Sequence, residues 1–381
     1  MSLGAPPAIA RTPGVQRFLE ASGPVAMAWT PDGTRLFFDE QATGDIRVAM
    51  PDGTVLPRPF AHLDVDTGSS ETGLLGIAVH PEFPDQPFVY VYFSDPALGI
   101  NRLVRFRADG DVADGPPEVL LDGLVTANRY HNGGDLVFGS DGMLYVTVGE
   151  SHVRNLAQDP NSLGGKVLRL MPDGSVPSDN PIAGNPSFTL GHRNSFGICL
   201  DPGNGDLWET ENGPTSDDEI NLLRAGSNYG WPMVMGAGGP EGTIDPVIDH
   251  VQEVAPTGCA VWRGDLYYGS YLDGAIRRLD LPAGADPQPV AVALIDEPVF
   301  DLSVGPDGAL YVASPSGIWR IGEPPTGTVS VPPIAREGWS LPSWWWSLLA
   351  LAAILTFVLV VRLRRQAAPD DDHAPPGRSD P

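Results

Sequence analysis

The sequence predicts an all-β fold, a six-bladed β-propeller followed by a single C-terminal transmembrane helix. The chain has 381 residues with 45 glycines and 40 prolines, and helical periodicity is nearly absent before residue 340. This composition favours turn-rich β structure. A pattern of alternating strands and tight turns recurs six times between residues 14 and 322, and an apolar run follows at 344–361.

Each repeat contains an apolar strand, a turn rich in Asp and Gly, a second apolar strand and a third strand of the Ile-x-Arg-Leu type. The six copies read VAMAWTPDGTRLFFDE with GDIRVAMPDG, GLLGIAVHPEFPDQPFVYVYFS with NRLVRFRADG, GGDLVFGSDGMLYVTVGE with GGKVLRLMPDG, SFGICLDPGNGDLWETENG with DEINLLRAGSNYG, TGCAVWRGDLYYGSYLDGAIRRLDL, and VFDLSVGPDGALYVASPSGIWRIG. Repeats of about 40 to 60 residues with hairpin turns are typical of propeller blades, whose radial closure protects the strand edges. We expect the preceding segment, VQRFLEASG, to add a strand to the last blade and close the ring.

The C-terminal part predicts three further segments. Residues 323–340 form a Pro-rich linker, 341–361 a transmembrane helix and 362–381 a disordered cytoplasmic tail. The apolar run is long enough to cross a bilayer, with tryptophans at one end and arginines at the other. The positive-inside tendency therefore places the propeller outside the cytoplasm.

The N-terminal residues MSLGAPPAIARTPG show no signal peptide. Either the true start lies upstream of Met1, which we expect, or the protein is tail-anchored with its main domain in the cytoplasm.

Charge and cysteine content narrow the classes of partner. The 48 acidic and 23 basic side chains give a net charge of −25, which repels phosphate backbones and argues against a nucleic-acid partner. Cys199 and Cys259 lie in predicted strands without metal-ligand spacing, and we expect two buried thiols. Two cysteines do not identify the redox compartment.

Departures from the repeat pattern occur at strand entrances and mark candidate functional residues. His131 opens the third repeat, and an imidazole there can act as a general base if Glu150, at the end of the same hairpin, fixes its tautomer. A satisfied structural histidine is the alternative. Arg193 and Asn194 precede the fourth repeat and can grip a carboxylate or carbonyl ligand, or else form a loop salt bridge and a turn.

Two acidic stretches add further candidates. Asp217, Asp218 and Glu219 are predicted to lie among loop carbonyls, which suits a calcium ion, although an acidic surface loop has the same composition. Glu71 precedes the second repeat and by itself indicates only a carboxylate at the rim of the ring.

Taken together, these stretches resemble the pyrroloquinoline quinone (PQQ) dependent sugar dehydrogenases of the glucose/sorbosone dehydrogenase family. The resemblance covers about residues 14 to 322 and rests on ETGLLGIAVHPEF, HNGGDLVFGSDGMLYVTVGE, AQDPNSLGGKVLRL, GHRNSFGI and DEINLLRAGSNYGWP. It implies that His131 is the general base that deprotonates the anomeric hydroxyl of a sugar while hydride passes to the quinone. Glu150 would orient this histidine.

The resemblance also implies sites for the cofactor and for calcium. Arg193 and Asn194 match the pair that contacts the quinone oxygens, and Arg193 could stabilise the negative charge that develops there. Glu71 matches a cofactor contact on the second blade. Calcium ligands would come from the backbone oxygens of Gly213 and Pro214 and from the positions of Glu219 and Tyr229.

The later blades depart from the family pattern. Tyr271 or Leu272 stands near the position of a family lysine, and Pro298 and Phe300 stand where two arginines contact the cofactor's carboxylates. Arg277 and Arg278 are the nearest substitutes, although the alternation places them towards the far end of their strand.

Three functions are therefore compatible with the sequence. The leading one is a membrane-anchored, PQQ- and calcium-dependent oxidoreductase that passes electrons from an aldose to a membrane acceptor. The alternatives are a cofactor-free binding module on the same propeller and a calcium-dependent lactonase.

Overall fold

The computed structural model describes residues 12, 14–325 and 327–331. These residues fall within one compact unit, Met1–Pro332. The predicted transmembrane helix and tail lie outside the described residues, as does the second half of the predicted linker. No helix among the described residues is long and apolar enough to cross a membrane.

Within the described residues, the strands form six antiparallel sheets arranged as the blades of a propeller. Blade 1 contains β2 Met27–Trp29, β3 Leu36–Glu40, β4 Asp45–Ala49 and β5 Ala61–His62; blade 2 contains β6 Leu74–Val79, β7 Phe88–Asp95, β8 Ile100–Asp109, β9 Val112–Ala113 and β10 Glu118–Val125; blade 3 contains β11 Gly133–Phe138, β12 Leu144–Val148, β13 Lys166–Leu170 and β14 Ser187–Leu190. Blade 4 contains β15 Ser195–Leu200, β16 Leu207–Glu211, β17 Asp218–Leu222 and β18 Ile248–His250; blade 5 contains β19 Pro256–Trp262, β20 Asp265–Ser270, β21 Ala275–Leu279 and β22 Val290–Leu294; blade 6 contains β23 Asp301–Val304, β24 Leu310–Ser314, β25 Gly317–Ile321 and β1 Val15–Glu20. The six repeats correspond to the six blades, which confirms the all-β propeller prediction.

The ring is closed by the first strand, as the sequence predicted. β1 pairs antiparallel with β25, so that the N-terminal strand becomes the outer strand of blade 6. A short 3₁₀ helix, Arg154–Gln158, follows β12 in blade 3. Blade 6 therefore contains strands from both ends of the propeller sequence. Removing either end would expose the edge of a strand that is paired in the closed ring.

The hydrophobic core consists of clusters between neighbouring blades. Phe37 and Val91 belong to the cluster between blades 1 and 2, and Trp262 and Val312 belong to the one between blades 5 and 6. Burial of each large apolar side chain contributes about 1.5 to 3 kcal/mol. The blades are thus held mainly by packing of alternate strand residues, which explains the period-2 pattern of the repeats.

Aspartate side chains add polar links at these interfaces and within blade 1. Asp135 in blade 3 accepts a hydrogen bond from the backbone N–H of Ile198 in blade 4, at 2.7 Å. Asp301 in blade 6 accepts one from Met27 in blade 1, at 3.0 Å. Asp39 accepts bonds from two backbone N–H groups of its own blade.

The expectation of two free cysteines is wrong. Cys199 and Cys259 form a disulfide that joins β15 of blade 4 to β19 of blade 5, with Cα atoms 5.6 Å apart. The two residues are 60 positions apart in the sequence, so only the side-by-side packing of the inner strands of adjacent blades brings them together.

Candidate functional site

The candidate site lies at one end of the ring. Because the strands of each blade alternate in direction, the first strand of a blade begins at the same end of the ring where the second strand ends. Glu71 precedes β6, His131 precedes β11 and Arg193 precedes β15, whereas Glu150 follows β12. The fold thus places at one end the residues that departed from the repeat pattern.

His131 and Glu150 form a buried pair. Nδ1 of His131 donates a hydrogen bond to Oε1 of Glu150 over 2.6 Å, and the two residues are only 7% and 1% exposed. Because a carboxylate can only accept, this bond places the proton of the neutral imidazole on Nδ1 and leaves a lone pair on Nε2. Burial lowers the pKa of His131, partly offset by Glu150 and reinforced by Arg193. The pair is arranged as a general base with its orienting carboxylate.

Glu71 links three blades around this base. Its Oε2 accepts hydrogen bonds from the backbone N–H of His131 at 2.7 Å and from Nδ2 of Asn194 at 3.4 Å. Asn132 donates from Nδ2 to the backbone oxygen of Glu71 at 2.7 Å. Glu71 therefore positions His131 and Asn194 relative to each other in addition to lining the end of the ring.

Arg193 is held by backbone oxygens of blade 4. Its Nη1 donates to the carbonyl oxygens of Asn212 at 2.7 Å and Gly213 at 2.9 Å, and its backbone N–H donates to Glu211. The guanidinium also lies 5.5 Å from the ring centre of Trp231. Burial lowers its pKa. Without a carboxylate partner for the guanidinium in these contacts, the positive charge is available to an anionic or carbonyl ligand.

Asn194 has a buried oxygen with no hydrogen-bond partner. The residue is 4% exposed, and Oδ1 accepts no bond although Nδ2 is used by Glu71. A buried acceptor of this kind costs about 1 to 3 kcal/mol when it is left unpaired. A ligand that donates a hydrogen bond, or a water molecule, would relieve this cost.

The predicted calcium ligands are the backbone oxygens of Gly213 and Pro214 on the one hand, and Glu219 and Tyr229 on the other. The carbonyl oxygen of Gly213, which precedes Pro214, already accepts from Arg193. Glu219 lies in β17, where Oε1 accepts from the N–H of Gly236 at 2.7 Å and Oε2 from Asn221 at 3.1 Å. The ring of Tyr229 stacks on that of His192 at 4.9 Å.

The sequence predicted that Asp217, Asp218 and Glu219 lie in a loop with free carboxylates, and this is wrong for Asp218 and Glu219. Asp218 and Glu219 are strand residues, and both oxygens of Asp218 accept backbone N–H groups, from Gly213, Val254 and Ala255. The carboxylate of Asp218 is therefore used to fix the loops that flank the site.

Sequence reasoning missed a buried cluster in blade 4. Nδ1 of His192 lies 3.0 Å from Oε2 of Glu211 and 3.3 Å from Oε1 of Glu209, and Asn221 donates to Glu209 at 2.9 Å. Burial opposes a charge on His192, but the two glutamates raise its pKa to about 10. The signal was the alternation in LWETE, which places two carboxylates on one face of a strand.

His152 was also missed. Its Nε2 lies 2.9 Å from Nε2 of His131, and its ring stacks on Tyr130 at 5.8 Å. The available signal was a second histidine two residues after Glu150.

Blades 5 and 6 present aromatic groups at positions where the family pattern has cations. The rings of Tyr271 and Phe300 are 6.0 Å apart, and Tyr271 is 44% exposed. Arg277 forms a bidentate ion pair with Asp273 at 3.2 and 2.6 Å. Because its charge is already balanced, Arg277 does not replace the missing cations.

A family model and known proteins match this chain. The model described as Glucose / Sorbosone dehydrogenase matches residues 21–317. The quinoprotein glucose dehydrogenase B of Acinetobacter calcoaceticus is 35% identical over 246 residues, which are 56% of this chain and 51% of that protein.

Two solved structures superpose on most of the chain. An oxidoreductase (glucose dehydrogenase) of Thermus thermophilus is 37% identical with a TM-score of 0.74, over 80% of this chain and 98% of that one. The PQQ-bound aldose sugar dehydrogenase of Streptomyces coelicolor is 30% identical with a TM-score of 0.72, over 83% and 99%.

Proposed function

The chain belongs to the glucose/sorbosone dehydrogenase family, and from this premise we propose that it oxidises an aldose or related sugar at the anomeric hydroxyl with PQQ as the hydride acceptor. The observation that carries the proposal is the buried His131–Glu150 pair, with the Nδ1 proton fixed by a 2.6 Å hydrogen bond. Its position beside Arg193 and Asn194 adds an electrostatic clamp to the base.

The side chains supply three parts of such a reaction. Nε2 of His131 would take the hydroxyl proton, and Glu150 would stabilise the imidazolium that results. Arg193 would stabilise negative charge that develops beside it. When bound, the quinone would supply the oxidant for the hydride, which no side chain of the protein can do.

The fit of the cofactor to these residues is favourable on one side of the ring only. The guanidinium of Arg193 offers a donor to a quinone oxygen, and the unpaired Oδ1 of Asn194 offers an acceptor to a hydroxyl of the reduced quinone. On the opposite side, Tyr271 and Phe300 offer apolar surface where carboxylates would need cations. Each charge-assisted hydrogen bond lost there is worth about 1.5 to 3 kcal/mol, so we expect weaker cofactor binding than full cationic pairing would give.

We also propose that calcium accompanies the cofactor, with Glu219, Tyr229 and the backbone oxygens of Gly213 and Pro214 as ligands. Burial, followed by the neighbouring Glu211, raises the pKa of Glu219 to about 9. A cation beside this carboxylate would replace the proton and offset the excess of negative charge. Carboxylate and carbonyl oxygens are the ligands that calcium prefers.

The location outside the cytoplasm is likewise a proposal. Disulfides persist in oxidising compartments, and the Cys199–Cys259 bond supports the orientation derived from the arginines that follow the apolar segment. Electrons would then pass to an acceptor in the membrane.

The decisive experiment is a titration of the full chain, in detergent, with PQQ in the presence of calcium, followed by oxidation of an aldose panel with a reducible dye. His131→Gln should retain cofactor binding and lose at least about a hundred-fold in kcat, the lower range for a general base. His62→Gln, a substitution at an exposed histidine of blade 1, is the matched control.

Full activity of His131→Gln would overturn the assigned base. Absence of PQQ binding in the wild type would favour a cofactor-free binding module, which the aromatic pair of blades 5 and 6 supports.

A further inference from the structure

The side chain of His152 continues the hydrogen-bonded path that begins at Glu150 and His131. Because Glu150 keeps the proton of His131 on Nδ1, the Nε2 of His131 can only accept. The 2.9 Å contact therefore requires Nε2–H of His152 to be the donor. The path runs from a carboxylate that is 1% exposed to an imidazole at the protein surface.

The backbone holds His152 in this position. Ser151 and His152 have φ angles of 53° and 59°, a left-handed conformation that residues other than glycine rarely adopt. The N–H of Ser151 donates to the carbonyl oxygen of His131 at 3.1 Å, and its hydroxyl donates to the carbonyl oxygen of Val125. The exposed ring of Tyr130 covers one face of the imidazole. Such a conformation persists only where surrounding contacts enforce it.

The position of His152 matters for the proton balance of the proposed oxidation. The reaction takes a hydride from the anomeric carbon to the quinone and a proton from the hydroxyl to Nε2 of His131. The carbon–oxygen bond becomes a carbonyl, and His131 is left as an imidazolium. His131 is only 7% exposed, so this proton needs a route to solvent before the next turnover.

We propose that His152 relays the proton from Nε2 of His131 to solvent, an inference that rests on the proposed function. The sugar hydroxyl first displaces His152 from Nε2 of His131. While it is displaced, His152 exchanges protons with water, losing the hydrogen on Nε2 and gaining one on Nδ1. After the oxidation, Nε2 of His152 accepts the proton of His131 while Nδ1 of His152 releases its proton to water. This step balances and regenerates the contact seen in the structure, in which Nε2 of His152 carries the hydrogen. The charged groups that act on His131 are Glu150, Arg193 and Glu71, and among the described contacts Nε2 of His131 is bonded by His152 and by none of these three.

The relay can be separated from a positioning role with two variants. His152→Gln keeps an N–H donor for His131 but cannot carry a proton, whereas His152→Ala removes both properties. We expect both variants of the full chain to lose about ten-fold or more in kcat in weakly buffered solution, a smaller loss than the hundred-fold or more expected when the base itself is removed. Added imidazole should restore the rate. His62→Gln should behave as the wild type in both conditions.

A second readout uses the chain without cofactor or substrate. A hydrogen bond to the neutral form of a base lowers its pKa, so His152→Ala should raise the pKa of His131 in an NMR titration of the imidazole nitrogens. His152→Gln should leave it closer to the wild-type value.

The outcomes distinguish the two proposals. Full activity of His152→Gln in weak buffer, or a loss that imidazole does not restore, would overturn the relay while leaving the dehydrogenase function intact. An unchanged His131 titration in His152→Ala would show that the contact is not formed and would also overturn it. A wild-type chain that binds PQQ and oxidises no sugar would overturn both.

Discussion

We expect Asp39 to make the free energy of unfolding depend on pH. Its Oδ1 accepts hydrogen bonds from the N–H groups of Val25 and Ala26, both at 2.9 Å, while its Oδ2 has no partner. The side chain is fully buried, and this burial raises its pKa from 3.8 to about 7. Asparagine has the same shape, keeps the accepting oxygen and carries no charge. Asp39→Asn therefore isolates the effect of ionisation.

The magnitude follows from the two pKa values. Between pH 3.8 and about 7 the folded chain holds a proton that the unfolded chain has lost, so the free energy of unfolding falls as the pH rises through this window and is constant above it. About three pH units at about 1.4 kcal/mol each give about 4 kcal/mol. Relative to the wild type, Asp39→Asn should be nearly neutral at pH 4 and more stable by about 4 kcal/mol at pH 7.

Urea unfolding followed by tryptophan fluorescence, at several pH values from 4 to 8 and with the disulfide intact, measures this difference. Asp64→Asn is the matched control, because the side chain of Asp64 is 96% exposed. A difference between Asp39→Asn and the wild type that does not change with pH would refute the reasoning, since it would mean that Asp39 ionises alike in the folded and unfolded chains.

Three other predictions concern the site and the blade interface. Glu150→Gln should reduce kcat/KM about ten-fold, the gap between a charge-assisted and a neutral hydrogen bond; because Glu150 raises the pKa of His131, the acid limb of the pH–rate profile should move to lower pH, and an unmoved limb would contradict the pairing. Replacing both Cys199 and Cys259 by alanine should lower the free energy of unfolding by about 4 kcal/mol, as expected for closure of a loop of 60 residues, measured by urea unfolding; a reducing agent should lower that of the wild type similarly and leave the variant unchanged. Glu219→Gln should weaken calcium binding at least about ten-fold in a calorimetric titration, because an amide replaces a charged oxygen ligand; equal affinity would exclude Glu219 as a ligand.

The sequence was sufficient for the fold because the repeat unit is local. Each blade is a chain of hairpins whose strands alternate apolar residues and whose turns contain Asp and Gly, so periodicity alone predicted six blades. The strand contributed by residues 15–20 was also predictable, since a ring of antiparallel sheets needs closure.

Two contacts outside the repeat pattern could not be predicted in the same way. The disulfide of Cys199 and Cys259 depends on the packing of two inner strands. The contact of His152 with His131 depends on a left-handed turn after β12. Neither geometry has a sequence period, and the family resemblance does not include either of them.

The distribution of backbone strain agrees with the location of the candidate site. Within the described residues, seven residues other than glycine have φ between 49° and 62°. One of them, Arg263, lies in the hairpin turn between β19 and β20 at the opposite end of its blade. The others precede a first or third strand or follow a second strand, and they are Arg129, His131, Ser151, His152, Asp217 and Ala255.

Each of these conformations costs about 1 to 2 kcal/mol for a residue with a side chain. Glycine would remove that cost, and the chain uses glycine at most of its other turns. At His131 and His152 a glycine would remove the imidazole that makes the contact with Glu150 or with His131. The strain is therefore concentrated at the end of the ring where the side chains are needed for chemistry, and the hydrogen bonds of Glu71 and Asp218 hold the strained loops in place.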